Sequence, residues 1–338
     1  MHRCLELAFL GAGHVAPNPM VGSVLVYEDR IIGEGYHEIH GKAHAEVNCI
    51  NSVSDADREL IERSTIYVSL EPCAHHGKTP PCADLIIEKH IPRVVVGCRD
   101  PFPEVNGKGI EKLKAAGIEV TVGILEKECI DFNRRFFTFH TKHRPYIILK
   151  WAQSANGFIS MPGERIPISN DYTNRLVHKW RSEEASILVG PRTALIDNPA
   201  LTTRLWTGLD PIRLVIDKQL ELPENLQIFD NKAKTIVFNE HKHDPGSNPG
   251  YYQIAEDSSL IQQLSIALHQ LKIQSVLVEG GARMLQSFID EDLWDETRLI
   301  INNDLDLPAG LPAPRLTNAC LQSHESLLSD TIRYYHHD

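Results

Sequence analysis

His44-Ala45-Glu46, Glu71-Pro72-Cys73 and Pro80-Pro81-Cys82 decide the reading of the first half of this chain. One imidazole, two thiols and a spare carboxylate fall within 39 residues. His44, Cys73 and Cys82 suit a tetrahedral Zn²⁺ and leave its fourth position open for water. Glu46, two residues from the histidine, is placed to carry protons to and from that water. Removing an amine from a nucleobase needs this set: a metal-activated water and a glutamate that is not a ligand. A structural zinc is the competing reading, and His75 and His76 are its candidate fourth ligands.

The flanking sequence supplies the frame. Residues 3–10 read as a helix, and Val21–Tyr27 and Arg30–Tyr36 as a strand pair joined at Glu28-Asp29. Ala43–Asn51 is expected to be a helix carrying His44 and Glu46 at its start. Thr65–Leu70 and Arg93–Cys98 read as buried strands, with a helix at Cys82–Lys89 opened by Pro81. Lys108–Ala116 (helix), Ile118–Val122 (strand) and a final helix at Glu126–Phe139 complete the pattern. Strands alternating with helices predict a three-layer α/β unit.

The pattern restarts after the polar stretch at His140–Arg144, so two domains are expected, 1–143 and 144–338. In the second, strands are expected at Tyr146–Lys150, Ile187–Gly190, Ile212–Asp217, Thr235–Phe238, Ser275–Glu279 and Thr297–Ile301. Helices are expected at Asp171–Glu184, Ser258–Leu271 and Ala282–Ile289, with a surface loop at 239–249. The chain has no G-x-G-x-x-G, so a dinucleotide fingerprint of that kind is absent. Gly280-Gly281, between a strand and a helix, exposes backbone N–H groups suited to an anion.

With 338 residues, 42% hydrophobic and 23% charged, the composition is that of a globular protein. The net charge of −11 divides into −4 for residues 1–143 and −7 for 144–338. Neither half has the basic balance of a nucleic-acid binder. Seven cysteines at irregular spacing favour free thiols in a reducing compartment. The N-terminus reads as an amphipathic helix, and no apolar run reaches membrane-spanning length. A cytoplasmic protein is expected, with neither membrane nor nucleic acid as partner.

Eight residues separate Cys73 from Cys82, where the commoner nucleobase-deaminase signature has two. With Pro17-Asn-Pro-Met-Val-Gly22, Gly35-Tyr-His37, His44-Ala-Glu-Val47 and Leu70-Glu-Pro-Cys-Ala-His75, this spacing resembles the bifunctional riboflavin-biosynthesis deaminase/reductase family. The second half carries matching stretches: Leu149–Gly157, His178-Lys-Trp-Arg181, Gly190-Pro-Arg-Thr193 and Ile196–Arg204.

That resemblance implies a cytidine-deaminase-like α/β/α domain followed by a dihydrofolate-reductase-like α/β domain. It implies one Zn²⁺ per chain, NADPH and a homo-oligomer. It also implies a small-molecule substrate, 2,5-diamino-6-ribosylamino-4(3H)-pyrimidinone 5′-phosphate. The base would be deaminated at C2 with Glu46 moving the proton. The ribosyl group would then be reduced at C1′ to ribityl, giving 5-amino-6-ribitylaminouracil 5′-phosphate. Asn18, His37, His75, Lys78 and Asp100 would line the deaminase pocket. Lys150, Ser169, Arg181, Thr193, Asp197, Leu201, Arg204, Glu279, Gly280 and Gly281 would hold substrate and NADPH, with Asp197 handling the proton at the ribose.

The chain departs from the family pattern at several points. Phe102 stands in Asp100-Pro-Phe-Pro103 where an asparagine is usual, and lacks the amide's hydrogen bonds. Ala155-Asn156-Gly157-Phe158 replaces Leu-Asp-Gly-Lys. Arg165 and Pro167 replace a serine and a tryptophan.

Overall fold

A computed structural model of the chain describes residues 1–74, 80–161 and 166–338. It divides into two compact units, Met1–His143 and Arg144–Asp338. Among the described residues no helix is long and apolar enough to cross a membrane.

The first unit runs α1 (His2–Phe9), β1 (Gly22–Tyr27), β2 (Arg30–Tyr36), α2 (Ala45–Asn51), β3 (Thr65–Leu70), α3 (Cys82–Glu88) and β4 (Arg93–Cys98). It ends with α4 (Lys108–Ala115), β5 (Glu119–Val122), α5 (Glu126–Phe132) and α6 (Arg134–Lys142). The sheet order is β2-β1-β3-β4-β5. The β1 strand is antiparallel to both neighbours, and β3, β4 and β5 are parallel. Alternation along the strands sends side chains to two faces. Leu25, Ile66, Val68, Val94 and Val96 meet Ile50, Ile86 and Leu113 from α2, α3 and α4. Val24, of the opposite parity, packs with Leu7 of α1 on the other face, and at the strand ends Leu70 and Cys98 pack with Cys129 and Phe136 of α5 and α6.

Two expectations change here. The helix over 126–139 is broken into α5 and α6 at Asn133. Its side chain leaves the helical register to bond the main chain of Met20. The helix expected from Ala43 begins at Ala45, with His44 as its extended N-cap residue. The 3₁₀ turn at Asp55–Arg63 was not expected; it buries none of its side chains, so no apolar period announces it.

The second unit runs β6 (Tyr146–Ser154), β7 (Phe158–Ser160), α7 (Asp171–Glu183), β8 (Ser186–Val189), α8 (Pro191–Asp197), β9 (Ile212–Ile216), β10 (Thr235–Asn239) and β11 (Gly250–Gln253). It continues α9 (Leu260–Gln270), β12 (Ser275–Val278), α10 (Ala282–Asp290), β13 (Glu296–Asn302), β14 (Leu311–Pro312), β15 (Ala319–Leu327) and β16 (Asp330–His337). Nine strands form one sheet, β11-β10-β9-β8-β12-β6-β13-β16-β15. It is parallel from β11 to β13 and antiparallel at β16 and β15. Leu149, Leu188, Leu214 and Val276 pack under α9 and α10 through Leu264, Leu268, Leu285 and Phe288. The opposite face packs on Val177 and Trp180 of α7 and Ala194 of α8. The terminal hairpin β15–β16 escaped the sequence reading because β15 is exposed almost throughout and shows no apolar alternation.

Candidate active sites

In the first unit the site gathers where β3 and β4 end, the usual place for ligands in an open α/β sheet. The Glu71 N–H donates to the Cys98 carbonyl at 3.0 Å, so the two strand ends leave the sheet side by side. Cys73 follows one strand and Asp100 the other. The Cys82 N–H, opening α3, donates to Cys73 Sγ at 3.3 Å. His44 brings Nδ1 to 3.6 Å from Cys73 Sγ and 3.4 Å from Cys82 Sγ. A tetrahedral zinc with ordinary Zn–N and Zn–S bonds separates its nitrogen and sulfur ligands by about 3.5 Å. The three donor atoms therefore fit that ion, and they lie within 4.8 Å of one another. Among the described residues no other group of three or more such side chains is placed to hold a metal.

Glu46 is 3% exposed and sits in the first turn of α2, two residues from His44. Burial, and then the Cys73 sulfur, push its carboxyl up to about 7; a cation beside it pulls the other way. A carboxyl poised near neutrality both accepts and releases protons.

His37 is buried and its ring meets the His44 ring edge-on at 5.4 Å. Its Nδ1 lies 3.0 Å from the Ala43 carbonyl, which can only accept. Nδ1 therefore carries the proton, and Nε2 accepts from Asn18 Nδ2 at 3.1 Å. Burial, first of all, lowers the His37 pKa and keeps the ring neutral. This bond fixes the amide so that Asn18 Oδ1 points away from His37 as an acceptor. Asp100 Oδ1 accepts from the Phe102 N–H at 2.8 Å, and burial drives its carboxyl up to about 7. Phe102 packs with the Leu70, Cys98, Cys129 and Phe136 cluster and meets His140 edge-on at 5.1 Å. Packing thus takes the place of an amide's hydrogen bonds. His75, His76 and Lys78 lie outside the described residues, as does Arg165 of the second unit.

Glu71 is a residue whose part sequence reasoning missed. It is 4% exposed, and its two oxygens accept from four backbone N–H groups. Gly109 and Ile110 donate to Oε1 at 3.0 and 3.2 Å, Gly107 and Asp100 to Oε2 at 2.9 and 3.3 Å. A side chain at Gly109 would meet the Pro72 carbonyl at 1.9 Å, so only glycine lets this loop close on the Glu-Pro-Cys turn. The only signal was position, two residues before Cys73.

In the second unit a cleft of about 730 Å³ is lined by Arg181, Asp197, Leu201 and Arg204, all named from sequence. Leu201 is 1% exposed and packs beside Val189 and Ala194, so it offers the cleft its main chain rather than its side chain. Arg181 grips Glu279 with two hydrogen bonds, at 2.9 and 2.8 Å, and Lys150 Nζ stands 3.7 Å from the same carboxylate. Burial alone would raise the Glu279 pKa; Arg181 and then Lys150 outweigh it and hold the group at about 2. Burial pulls Lys150 below its usual range despite Glu279.

Gly280 and Gly281 follow β12 as Gly190 follows β8. A Cβ on Gly280 would lie 3.6 Å from the Gly190 nitrogen, and one on Gly281 3.5 Å from Thr193 Oγ1. The tighter contact of a Gly280 Cβ would be with Met284 of α10, its Sδ 3.0 Å away. Ser169 precedes the Asn170 cap of α7, and among the described residues nothing links it to the cleft. His178, quoted in a motif but given no part, is buried, and its Nδ1 finds no partner among the described residues. Burial, then Arg181 and Arg204, lower it to about 4, so the ring is neutral.

Comparison with known proteins agrees with both halves. Residues 1–98 match the cytidine and deoxycytidylate deaminase zinc-binding region, and residues 145–303 match the RibD C-terminal domain. Riboflavin biosynthesis protein RibD of Aquifex aeolicus is 39% identical over 307 residues, 89% of this chain and 85% of that protein. RibD of Escherichia coli is 33% identical over 88% of this chain and 84% of its own. A crystal structure from Thermotoga maritima aligns with a TM-score of 0.89 at 36% identity, covering 100% of this chain and 97% of that one. It is described as a diaminohydroxyphosphoribosylaminopyrimidine deaminase/5-amino-6-(5-phosphoribosylamino)uracil reductase. Acinetobacter baumannii RibD aligns with a TM-score of 0.89 at 31% identity, covering 99% and 97%. The first unit has the cytidine-deaminase-like fold and the second the dihydrofolate-reductase-like fold, and the chain belongs to the RibD family of riboflavin-biosynthesis proteins.

Proposed function

We propose that this chain catalyses two successive steps of riboflavin biosynthesis, a zinc-dependent deamination of a pyrimidine and an NADPH-dependent reduction. The observation that carries the reading is the His44, Cys73 and Cys82 donor set beside buried Glu46. It is joined on one chain to a second unit with its own charged cleft.

The substrate is 2,5-diamino-6-ribosylamino-4(3H)-pyrimidinone 5′-phosphate. His44, Cys73 and Cys82 hold zinc, which when bound supplies a Lewis acid that makes water acidic enough to react at neutral pH. Glu46 takes a proton from the attacking water and passes it to the departing amine, so that a C–O bond replaces the C2–N bond and ammonia leaves. Asn18, its amide fixed by His37, accepts from an N–H of the base. Asp100 lines the pocket, and the family resemblance assigns His75 and Lys78 to the same substrate.

In the second unit NADPH, when bound, would supply a hydride for C1′. Thr193, Gly280 and Gly281 hold the cofactor at the strand ends. Arg181 and Arg204 hold the phosphate oxygens as charged donors. Glu279 keeps Arg181 oriented, Lys150 faces the sugar, and Asp197 handles the proton as the ribosyl ring opens to ribityl. Leu201 completes the substrate contacts through its main chain. A cytoplasmic homo-oligomer belongs to this reading, supported by the family resemblance.

Stepwise mass spectrometry of the pyrimidine, with and without NADPH, tests it alongside zinc content. Replacement of the amine by oxygen is expected without NADPH, and a gain of two hydrogens only after NADPH is added. A zinc-loaded protein that leaves the pyrimidine unchanged would refute it.

A further inference from the structure

Arg213, on β9, is 0% exposed, and all its guanidinium nitrogens are engaged. Nε donates to Thr235 Oγ1 at 3.0 Å and Nη2 to the Ala233 carbonyl at 2.8 Å. Nη1 reaches Asp230 Oδ1 at 2.8 Å, the Gln227 carbonyl at 3.0 Å and the Ala200 carbonyl at 3.4 Å. Gln227 in turn binds Asn198 twice. Its N–H donates to Asn198 Oδ1 at 2.7 Å and its Nε2 to the Asn198 carbonyl at 2.8 Å. Arg181 Nη1 donates to the Thr202 carbonyl at 3.4 Å.

The carbonyls of residues 198, 200 and 202 are therefore each held by a side chain from outside the segment. That segment is the floor of the cleft, between Asp197 and Arg204. Asn198 and Leu201 have φ of 41° and 55°, left-handed conformations that a free segment would leave. It has no secondary-structure ladder of its own, so these alternate bonds, with the buried Leu201 side chain and the Thr203 bonds to Asp210 and Leu209, keep its shape.

We infer that Arg213 and Gln227 are positioning residues for the reductase reaction, fixing Asp197 and Arg204 relative to one another across the cleft. The inference rests on the reading of that cleft as the site of the reduction. Arg213 works through its planar fork: one side ties β9 to the 230–235 turn, and the other reaches the cleft floor directly and through Gln227. A lysine keeps the charge and loses the fork. Gln227 is exposed at the cleft edge, so its truncation removes the Nε2 bond to the Asn198 carbonyl with little cost to the fold.

The test compares Gln227→Ala, Arg213→Lys and Arg204→Ala in the full zinc-loaded chain. Melting temperature, deamination, and kcat and KM for reduction of the deaminated substrate are measured. Gln227→Ala is expected to melt with the parent, to deaminate normally, and to lose about tenfold in kcat/KM for reduction, chiefly through KM, as misplaced binding groups do. Arg213→Lys is expected to lose at least as much. If Arg204→Ala impairs reduction and neither Gln227→Ala nor Arg213→Lys does, the positioning role is wrong and Arg213 is a structural residue of β9. If Arg204→Ala also leaves reduction unchanged, the reading of the cleft falls, and the inference with it. Should Arg213→Lys fail to fold, Gln227→Ala decides alone.

Discussion

Asn133 holds both backbone groups of Met20: its Oδ1 accepts the Met20 N–H at 2.9 Å, and its Nδ2 donates to the Met20 carbonyl at 2.8 Å. The bond pair crosses 113 residues of sequence and breaks the final helix of the first unit in two. It anchors the Pro17–Gly22 turn, and so Asn18, beside His37. Asn133→Ala strips two main-chain groups of their partner, and a buried unpaired group costs about 1–3 kcal/mol. We expect a loss of that order in chemical denaturation and a raised KM for deamination, with reduction unaffected. Unchanged KM at full stability loss would make Asn133 a fold residue alone.

Asp100 costs the fold stability at neutral pH. Its folded pKa, near 7 through burial, lies above the ordinary 3.8. Stability is therefore whole below about pH 4 and declines as pH rises through 7. Asp100→Asn keeps an acceptor for the Phe102 N–H and removes the charge. Its denaturation midpoint should exceed the parent's at pH 8, by up to about 2–4 kcal/mol, and match it at pH 4. Its deamination should fall if the carboxylate grips substrate. A variant less stable at pH 8 would show that the charge is welcomed where it sits.

Glu279 has the opposite sign. Held at about 2 by Arg181 and Lys150 against burial, it contributes stability above its ordinary 4.5 and loses it as pH falls through 2. Glu279→Gln leaves two buried cations short of a counter-charge, a change worth about 3–5 kcal/mol where a buried pair is broken. The gap between variant and parent should be full at pH 7 and narrow steadily below pH 4.5. NADPH oxidation should be lost while ammonia release continues. An equal gap at pH 7 and pH 3 would contradict the charge assignment.

Phe102→Asn exchanges packing for a free amide. It should cost about 1–3 kcal/mol in stability, as lost apolar burial does, and leave the KM for deamination unchanged or lower. A KM raised many-fold would place the Phe102 ring on the substrate itself.

The zinc donors were legible because metal chemistry restricts residue type: few side chains ligate zinc, and three of them with a spare glutamate form an uncommon set. Strands such as Arg93–Cys98 were legible from their apolar runs. Glu71, Asn133, Arg213 and Gln227 were not, because each acts by bonding main-chain atoms far away in sequence. A backbone N–H carries no mark in the sequence, so nothing there says that Glu71 will receive four. Leu201 was expected at the substrate and cofactor site; it lines the cleft with a left-handed φ of 55° while its side chain lies in the core, and burial of that kind carries no mark in the sequence.

The most direct test of the two-site account is Glu46→Gln, assayed for bound zinc, ammonia release and NADPH oxidation on substrate that has already been deaminated. The account predicts full zinc, ammonia release reduced at least about a hundredfold, as loss of a general acid–base group does, and reduction at the parent's rate. Undiminished ammonia release, or loss of reduction in a fully folded, zinc-loaded variant, would contradict it.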